Sequence, residues 1–460
     1  MRTSVGARAI VALMSPLGTP PGPDERTGNL VDSIRYAAAF FRDPFEFVGR
    51  RFARYGDVYY APAKGVGLYV VRHPAQLREV LITHADAYAK SHSALESLSI
   101  LLGDGLLTSD GDVWRRHRRI LNPAFSRQAI SSAVPRMVAE TERTVQRFEG
   151  GKSVDVAFEM TDLTLRIVGH ALLGIDLEDE VRVVGRSMST LQTALAVPRS
   201  LPALARWPVE QVVHRAVSEL DRVIERVVHN RRAKPSSQVD LLQMLLDATD
   251  PENKDVRLSA REVRDELVTF LLAGHETTSN TLAWALYLLA KHPELMRACQ
   301  AEVDSVLAGR PCRSEDLEKL TLIDQVIKET MRLYPPAYVL ARRAISDTQI
   351  GDYAVPAGSE VVLWIYFTQR DERWFPKAEQ FDPARFRKEL EETRPKLAYL
   401  PFGAGGRACI GKVFASVEAS VALATLLMRH SFELRGADRV VPKARITLTP
   451  QNLRLWAVPR

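Results

Sequence analysis

Cysteine is scarce, with 3 among 460 residues, at Cys299, Cys312 and Cys409. Three thiols cannot build a disulfide framework, which excludes a stapled secreted scaffold and points to a reducing, cytoplasmic compartment. Long apolar runs are missing too. The early stretch Ala9–Met14 is far short of the roughly 20 residues a membrane helix needs, and no other segment reaches about 18. It leads into Pro20-Pro-Gly-Pro23, so residues 1–29 read as a stiff proline-rich leader with only a faint signal-peptide shape. No fixed-period repeat and no low-complexity linker interrupts the rest, which argues for one domain over residues 30–460. Nor does charge of one sign dominate. With 62 Lys+Arg against 56 Asp+Glu the net charge is +6, too mild to point to nucleic acid.

What is present is an ordinary globular composition, 46% hydrophobic and 26% charged, with enough apolar residues for a large core. Val58–Ala61 and Gly67–Val71 read as paired strands, followed by a helix from about Pro74. From Trp114 to about Leu307 the periodicity is mostly helical, with clear helices over Ala216–Arg232 and Ser259–His292. Strand signals return at Tyr353–Pro356, Glu360–Trp364, Arg445–Thr449 and Leu453–Trp456. A mainly helical α+β fold, with small sheets drawn from both ends of the chain, fits this order.

The chemistry concentrates in Phe402-Gly-Ala-Gly-Gly-Arg-Ala-Cys-Ile-Gly411. Four glycines in ten residues let a backbone take positive φ and approach a flat ligand. The run Lys412–Met428 is apolar-periodic, so Cys409 lies at a loop-to-helix junction, where helix amides favour a thiolate. Taken alone, the same pattern fits a buried free cysteine in a glycine-rich turn. Zinc is disfavoured, because no other Cys or His lies nearby at ligand spacing. A lone thiolate suits haem iron, whose porphyrin supplies the equatorial ligands.

Phe402, Gly405, Arg407, Cys409 and Gly411 match F-x-x-G-x-R-x-C-x-G, and in this the chain resembles the cytochrome P-450 family over residues 30 to 460. The resemblance implies that fold, with a central buried helix over haem b (iron protoporphyrin IX), and Cys409 as the iron ligand. The helix around Gly274 has apolar residues on nearly all faces, yet its middle reads Ala273-Gly-His-Glu-Thr-Thr-Ser-Asn280. Burying such groups is costly, and Thr277 is placed to bond back to the carbonyl of Ala273, with Gly274 leaving space beside the bend. A water-filled helix defect would account for the stretch by itself. It resembles the family's A-G-x-E-T motif, which implies that Thr277 serves oxygen activation and Glu276 helps deliver protons.

Glu329 and Arg332 match E-x-x-R, a pattern four other pairs in the chain also satisfy. Its position, about eighty residues before the cysteine loop, selects it, and Phe381–Phe386 resembles the segment that supplies a second arginine. A buried structural network of Glu329, Arg332 and Arg385 is implied. Trp114-Arg-Arg-His-Arg118 matches W-x-x-x-R, and residues four apart share a helix face. By resemblance Trp114, Arg118 and Arg407 contact the haem propionates, with Arg342 or Arg343 a further partner and Phe402 and Gly274 against the cofactor. His117 reads as a surface or packing residue rather than a ligand. Arg115, Arg116, Arg119 and Lys412 read as a basic docking face for an acidic electron donor, or as a solvated helix face.

The implied activity is insertion of one oxygen atom of dioxygen into a lipophilic molecule, with fatty acids and terpenoid or steroid skeletons both open. Substrate would meet residues within Ala87–Leu107, Met188–Trp207, the helix before Thr277, Ala337–Leu340 and Pro450–Leu453, while Ala194–Pro208 is also a candidate membrane-touching patch. No fused reductase is visible, so a ferredoxin or flavodoxin with its NAD(P)H-dependent reductase is implied. Two alternatives are a haem-thiolate isomerase or dehydratase and a haem sensor or ligand-binding protein without turnover.

Overall fold

A computed structural model of the chain describes residues 18–23, 38–63, 66–174, 183–185, 187, 190, 203–234, 240–250, 253–436 and 440–460. Most of the leader (1–17 and 24–29) lies outside them, as do 188, 189 and 191–202 of the expected pocket and membrane stretches. The chain divides into two compact units. The first joins residues up to 95 with 337–380 and 388–409, and the second comprises 96–336, 381–387 and 410–460.

The first unit is built on a five-stranded sheet. Strands β1 (Val58–Ala63) and β2 (Val66–Val71) form the expected antiparallel pair. Strands β3 (Tyr88–Lys90), β5 (Leu340–Ala344) and β6 (Glu360–Leu363) complete the order β1-β2-β6-β5-β3, with β6 parallel to β2. Helix α1 (Pro44–Tyr55) starts where the Asp43 carboxylate accepts the Glu46 N–H and Pro44 presets the first turn. Its apolar face buries Val48 and Phe52 against Tyr59, Val70 and Trp364. Residues 18–23 are laid along this unit. The Tyr60 N–H donates to Pro21 O at 2.9 Å and the Ala354 N–H to Gly18 O at 3.3 Å.

The second unit is helical. It contains α2 (Gly111–Leu121), α3 (Arg127–Gln146), α4 (Val156–Leu173), α5 (Ala203–Ala233), α6 (Ala260–Lys291), α7 (Pro293–Leu307), α8 (Thr321–Leu333) and α9 (Lys412–Arg429). A small sheet pairs β10 (Arg454–Pro459) with β4 (Lys152–Asp155) and β7 (His430–Glu433). The ends of α6 follow the sequence closely. Ser259 caps it reciprocally with Glu262, and the chain leaves the helix at His292.

One strand differs from expectation. Strands are β8 (Val441–Ala444) and β9 (Leu448–Gln451), so the first three residues of the expected Arg445–Thr449 strand form the turn of a hairpin. The Arg445 N–H donates to Thr447 O at 3.0 Å and closes it. That turn contains no glycine or proline, so its β-branched residues read as strand.

Candidate active site

In the first unit, the Cys409 N–H donates to Phe402 O at 2.8 Å, closing the glycine-rich segment into a loop around a single 3-10 turn, Gly405–Arg407. Gly403 (φ +67°) and Gly405 (φ +70°) take the left-handed conformation the loop requires. At Gly405 a side chain is excluded twice over, since a Cβ would also run into Leu81 O. The three cysteines now separate. Cys299 and Cys312 are buried, which pushes their thiols up to about 12 and about 11, whereas Cys409 is exposed. The Cys409 thiol is thus open to a ligand, whereas the other two are enclosed by protein. Arg342 and Arg343 point to opposite sides of β5, and Arg342 is the more covered of the two, its Nη1 donating to Ala341 O at 2.9 Å.

In the second unit, every residue of α6 from Asp265 to Leu286 is buried except Ala273, Gly274 and Thr277. Residues at i, i+1 and i+4 share one helix face, so the helix opens along a single narrow strip of small side chains. The neighbouring polar groups have destinations inside the fold. Thr277 Oγ1 donates to Ala273 O at 2.9 Å, the back-bond its position predicts. The His275 ring donates from Nδ1 to Leu271 O, and burial pushes its imidazole down, so it stays neutral. Glu276 Oε1 accepts from Thr447 Oγ1 at 2.6 Å, and Asn280 Nδ2 donates to the same hydroxyl at 2.9 Å. Gly274 has a packing consequence as well. A Cβ there would lie 3.0 Å from Val168 Cγ2 on α4, so the glycine lets two helices approach and does not simply leave open space.

Helix α8 carries Glu329 and Arg332, both fully buried. Arg332 donates to Glu329 from Nε at 2.6 Å and from Nη2 at 2.8 Å. Arg385 approaches the same carboxylate at 3.5 Å, and the Asp382 N–H donates to it at 3.0 Å. The segment carrying Asp382 therefore reaches the network partly through its backbone. Helix α2 carries Trp114 and Arg118 one turn apart, both half-buried.

Sequence reasoning missed the partners around α2. His117 has no exposed surface and lies 2.7 Å from Glu266 and 3.3 Å from Glu262, both on α6. Burial opposes its charge, but hydrogen bonds to Glu266 and Glu262 outweigh this and hold it above the ordinary histidine range. Arg116 pairs with Glu262 and Arg115 with Asp112, so two cations of the expected basic face are neutralised within the unit. The signal for this cluster was present in the carboxylates Glu262 and Glu266 at i and i+4.

An exposed cysteine on a loop that tolerates no side chain at Gly405 suits thiolate ligation of a flat group. The chain belongs to the cytochrome P450 family, whose model matches residues 20–456. It is 31% identical to cyclooctatin synthase of Streptomyces melanosporofaciens over 92% of this chain and 93% of that protein. It is 30% identical to pentalenene oxygenase of Streptomyces avermitilis over 96% and 97%, and 32% identical to putative cytochrome P450 132 of Mycobacterium tuberculosis over 88% and 90%. The family is one of monooxygenases with a haem-thiolate cofactor that use dioxygen and redox partners. Among the described residues no helix is long and apolar enough to cross a membrane.

Proposed function

We propose that this cytochrome P450 monooxygenase is cytoplasmic and oxygenates a lipophilic, cyclic terpenoid. Electrons would come from a separate ferredoxin or flavodoxin with its NAD(P)H-dependent reductase. When bound, thiolate-ligated haem supplies the activation of dioxygen, one oxygen atom entering substrate and the other leaving as water. Cys409 holds the iron. Trp114, Arg118, Arg342 and Arg407 would bind the propionates, and Phe402 and Gly274 would contact the cofactor. Glu329, Arg332 and Arg385 form the buried scaffold pair and its partner.

The reading gives Thr277 a proton role. Its hydroxyl hydrogen goes to Ala273 O, which leaves its oxygen to act as an acceptor. Glu276, one residue earlier, is the buried acid that passes protons on. This intact pair disfavours the isomerase reading, which needs no proton delivery to oxygen.

The observation that carries the substrate class is the match, over nearly the whole chain, to an enzyme whose name states the oxygenation of pentalenene. The test titrates purified protein with cyclic terpene hydrocarbons and alcohols and with fatty acids. Substrate-induced spin-state shifts and hydroxylated products with a surrogate ferredoxin and reductase are expected for the terpenes, and neither is expected from Cys409→Ala. Shifts and products confined to fatty acids would overturn the substrate class.

A further inference from the structure

We propose that Thr447 is a positioning residue that orients the Glu276 carboxylate and holds it ready to accept a proton. This rests on the reading of Glu276 as a proton carrier, and the experiment below separates the two. A threonine hydroxyl has one hydrogen to give and lone pairs to accept with. Here Asn280 Nδ2 donates to the oxygen at 2.9 Å, so the hydrogen is directed at Glu276 Oε1, 2.6 Å away. That length belongs to the short, charge-assisted class of O–H···O⁻ bonds. Glu276 and Asn280 stand one turn apart on α6, on the same face, and Thr447 bridges both. All three are buried.

The hydroxyl is held rigidly. Its turn is closed by the Arg445 N–H on Thr447 O at 3.0 Å. The next residue, Leu448, donates its N–H to Pro336 O at 3.1 Å and accepts from Trp284 Nε1 of α6 at 3.2 Å. The turn is thus fastened to the same helix that carries the acid. A fixed donor aimed at a carboxylate favours its ionised form. His275 on α6 is neutral, Thr164 on α4 spends its hydroxyl on Met160 O and His275 O, and Arg445 is exposed. The Thr447 hydrogen bond directs the carboxylate and lowers the pH at which it takes up a proton.

The experiment uses full-length protein and pH-difference infrared spectra, with the Glu276 carboxyl band assigned by its loss in Glu276→Gln. In Thr447→Val the midpoint of that band is expected to rise by about one to two pH units, the worth of a hydrogen bond to a charged group. Thr447→Ser is expected to restore it. The pH profile of product formed per NAD(P)H consumed should move by the same amount, and Thr447→Val should add nothing to Glu276→Gln. An unchanged midpoint in folded Thr447→Val, or in Thr447→Ala should the first variant not fold, would overturn the proposal. A Glu276→Gln variant that couples like the wild type would instead overturn the role given to Glu276, whatever the infrared midpoint shows.

Discussion

Glu418 has no exposed surface on α9, and the hydroxyl facing it is that of Thr278 on α6. Burial pushes its carboxyl well above the usual range, more than the nearby Thr278 hydroxyl lowers it, so the neutral acid is favoured in the folded protein. In the unfolded chain it ionises normally. The folded state then binds the extra proton, and stability contributed at low pH is lost as pH rises above the unfolded value. Glu418→Gln, which is neutral at every pH, should match the wild type near pH 5. Relative to it, the variant should gain up to about 1.4 kcal/mol per pH unit as pH rises above the unfolded value, until the folded carboxyl itself ionises. Urea unfolding at a series of pH values checks this, and parallel curves would mean that Glu418 is ionised when folded. The sequence carried the cue, since Phe414, Glu418 and Val421 share one face of an apolar helix. Cys409 was easier to read because its loop fixes five residues by a shared chemical need. Buried pairs such as His117 with Glu266 join residues far apart in sequence, which periodicity does not connect.

At the scale of elements, α6 and α4 pack closely where Gly274 faces Val168. Gly274→Ala gains about 1 kcal/mol of helix propensity but overpacks the contact at a cost of about 1–3 kcal/mol. A net loss of about 1 kcal/mol is expected in thermal unfolding, and combining it with Val168→Ala should remove the overpacking part. Additive losses in the double variant would show that the contact is not the cause. The helix itself was legible to its caps, because Ser259 with Glu262 and an unbroken apolar pattern up to His292 all agree. The hairpin turn at Arg445–Thr447 was not. Its residues have strand propensity and no turn chemistry, and the fold overrides that preference by fastening Leu448 to Pro336 and Trp284. The residue that meets Glu276 was hidden for this reason.

For the whole molecule, the net charge of +6 says little until local pairing is removed from it. With Arg115 and Arg116 matched by their own acids, Lys412 at the start of α9 remains an exposed cation of the expected docking face. Electrostatic steering of an acidic donor predicts that the second-order rate of reduction by ferredoxin falls steeply with ionic strength. Lys412→Glu should lower that rate about 3- to 10-fold at low salt and have little effect at about 0.5 M, where screening is strong. Stopped-flow reduction checks this, and a salt-independent rate would point to apolar docking.

The sheet of the first unit has a consequence in time. Strand β2 pairs on one side with β1 at once, but its other edge waits for β6, through Leu68 with Glu360 and Val71 with Leu363. About 290 residues separate these partners, and a ribosome adding about 5–20 residues per second needs roughly 15–60 s to cover them. Throughout that interval an apolar strand edge is exposed on the nascent chain, a template for pairing with the wrong neighbour. Expression at lower temperature, or with a chaperone that shields strand edges, acts on this interval and not on the finished fold.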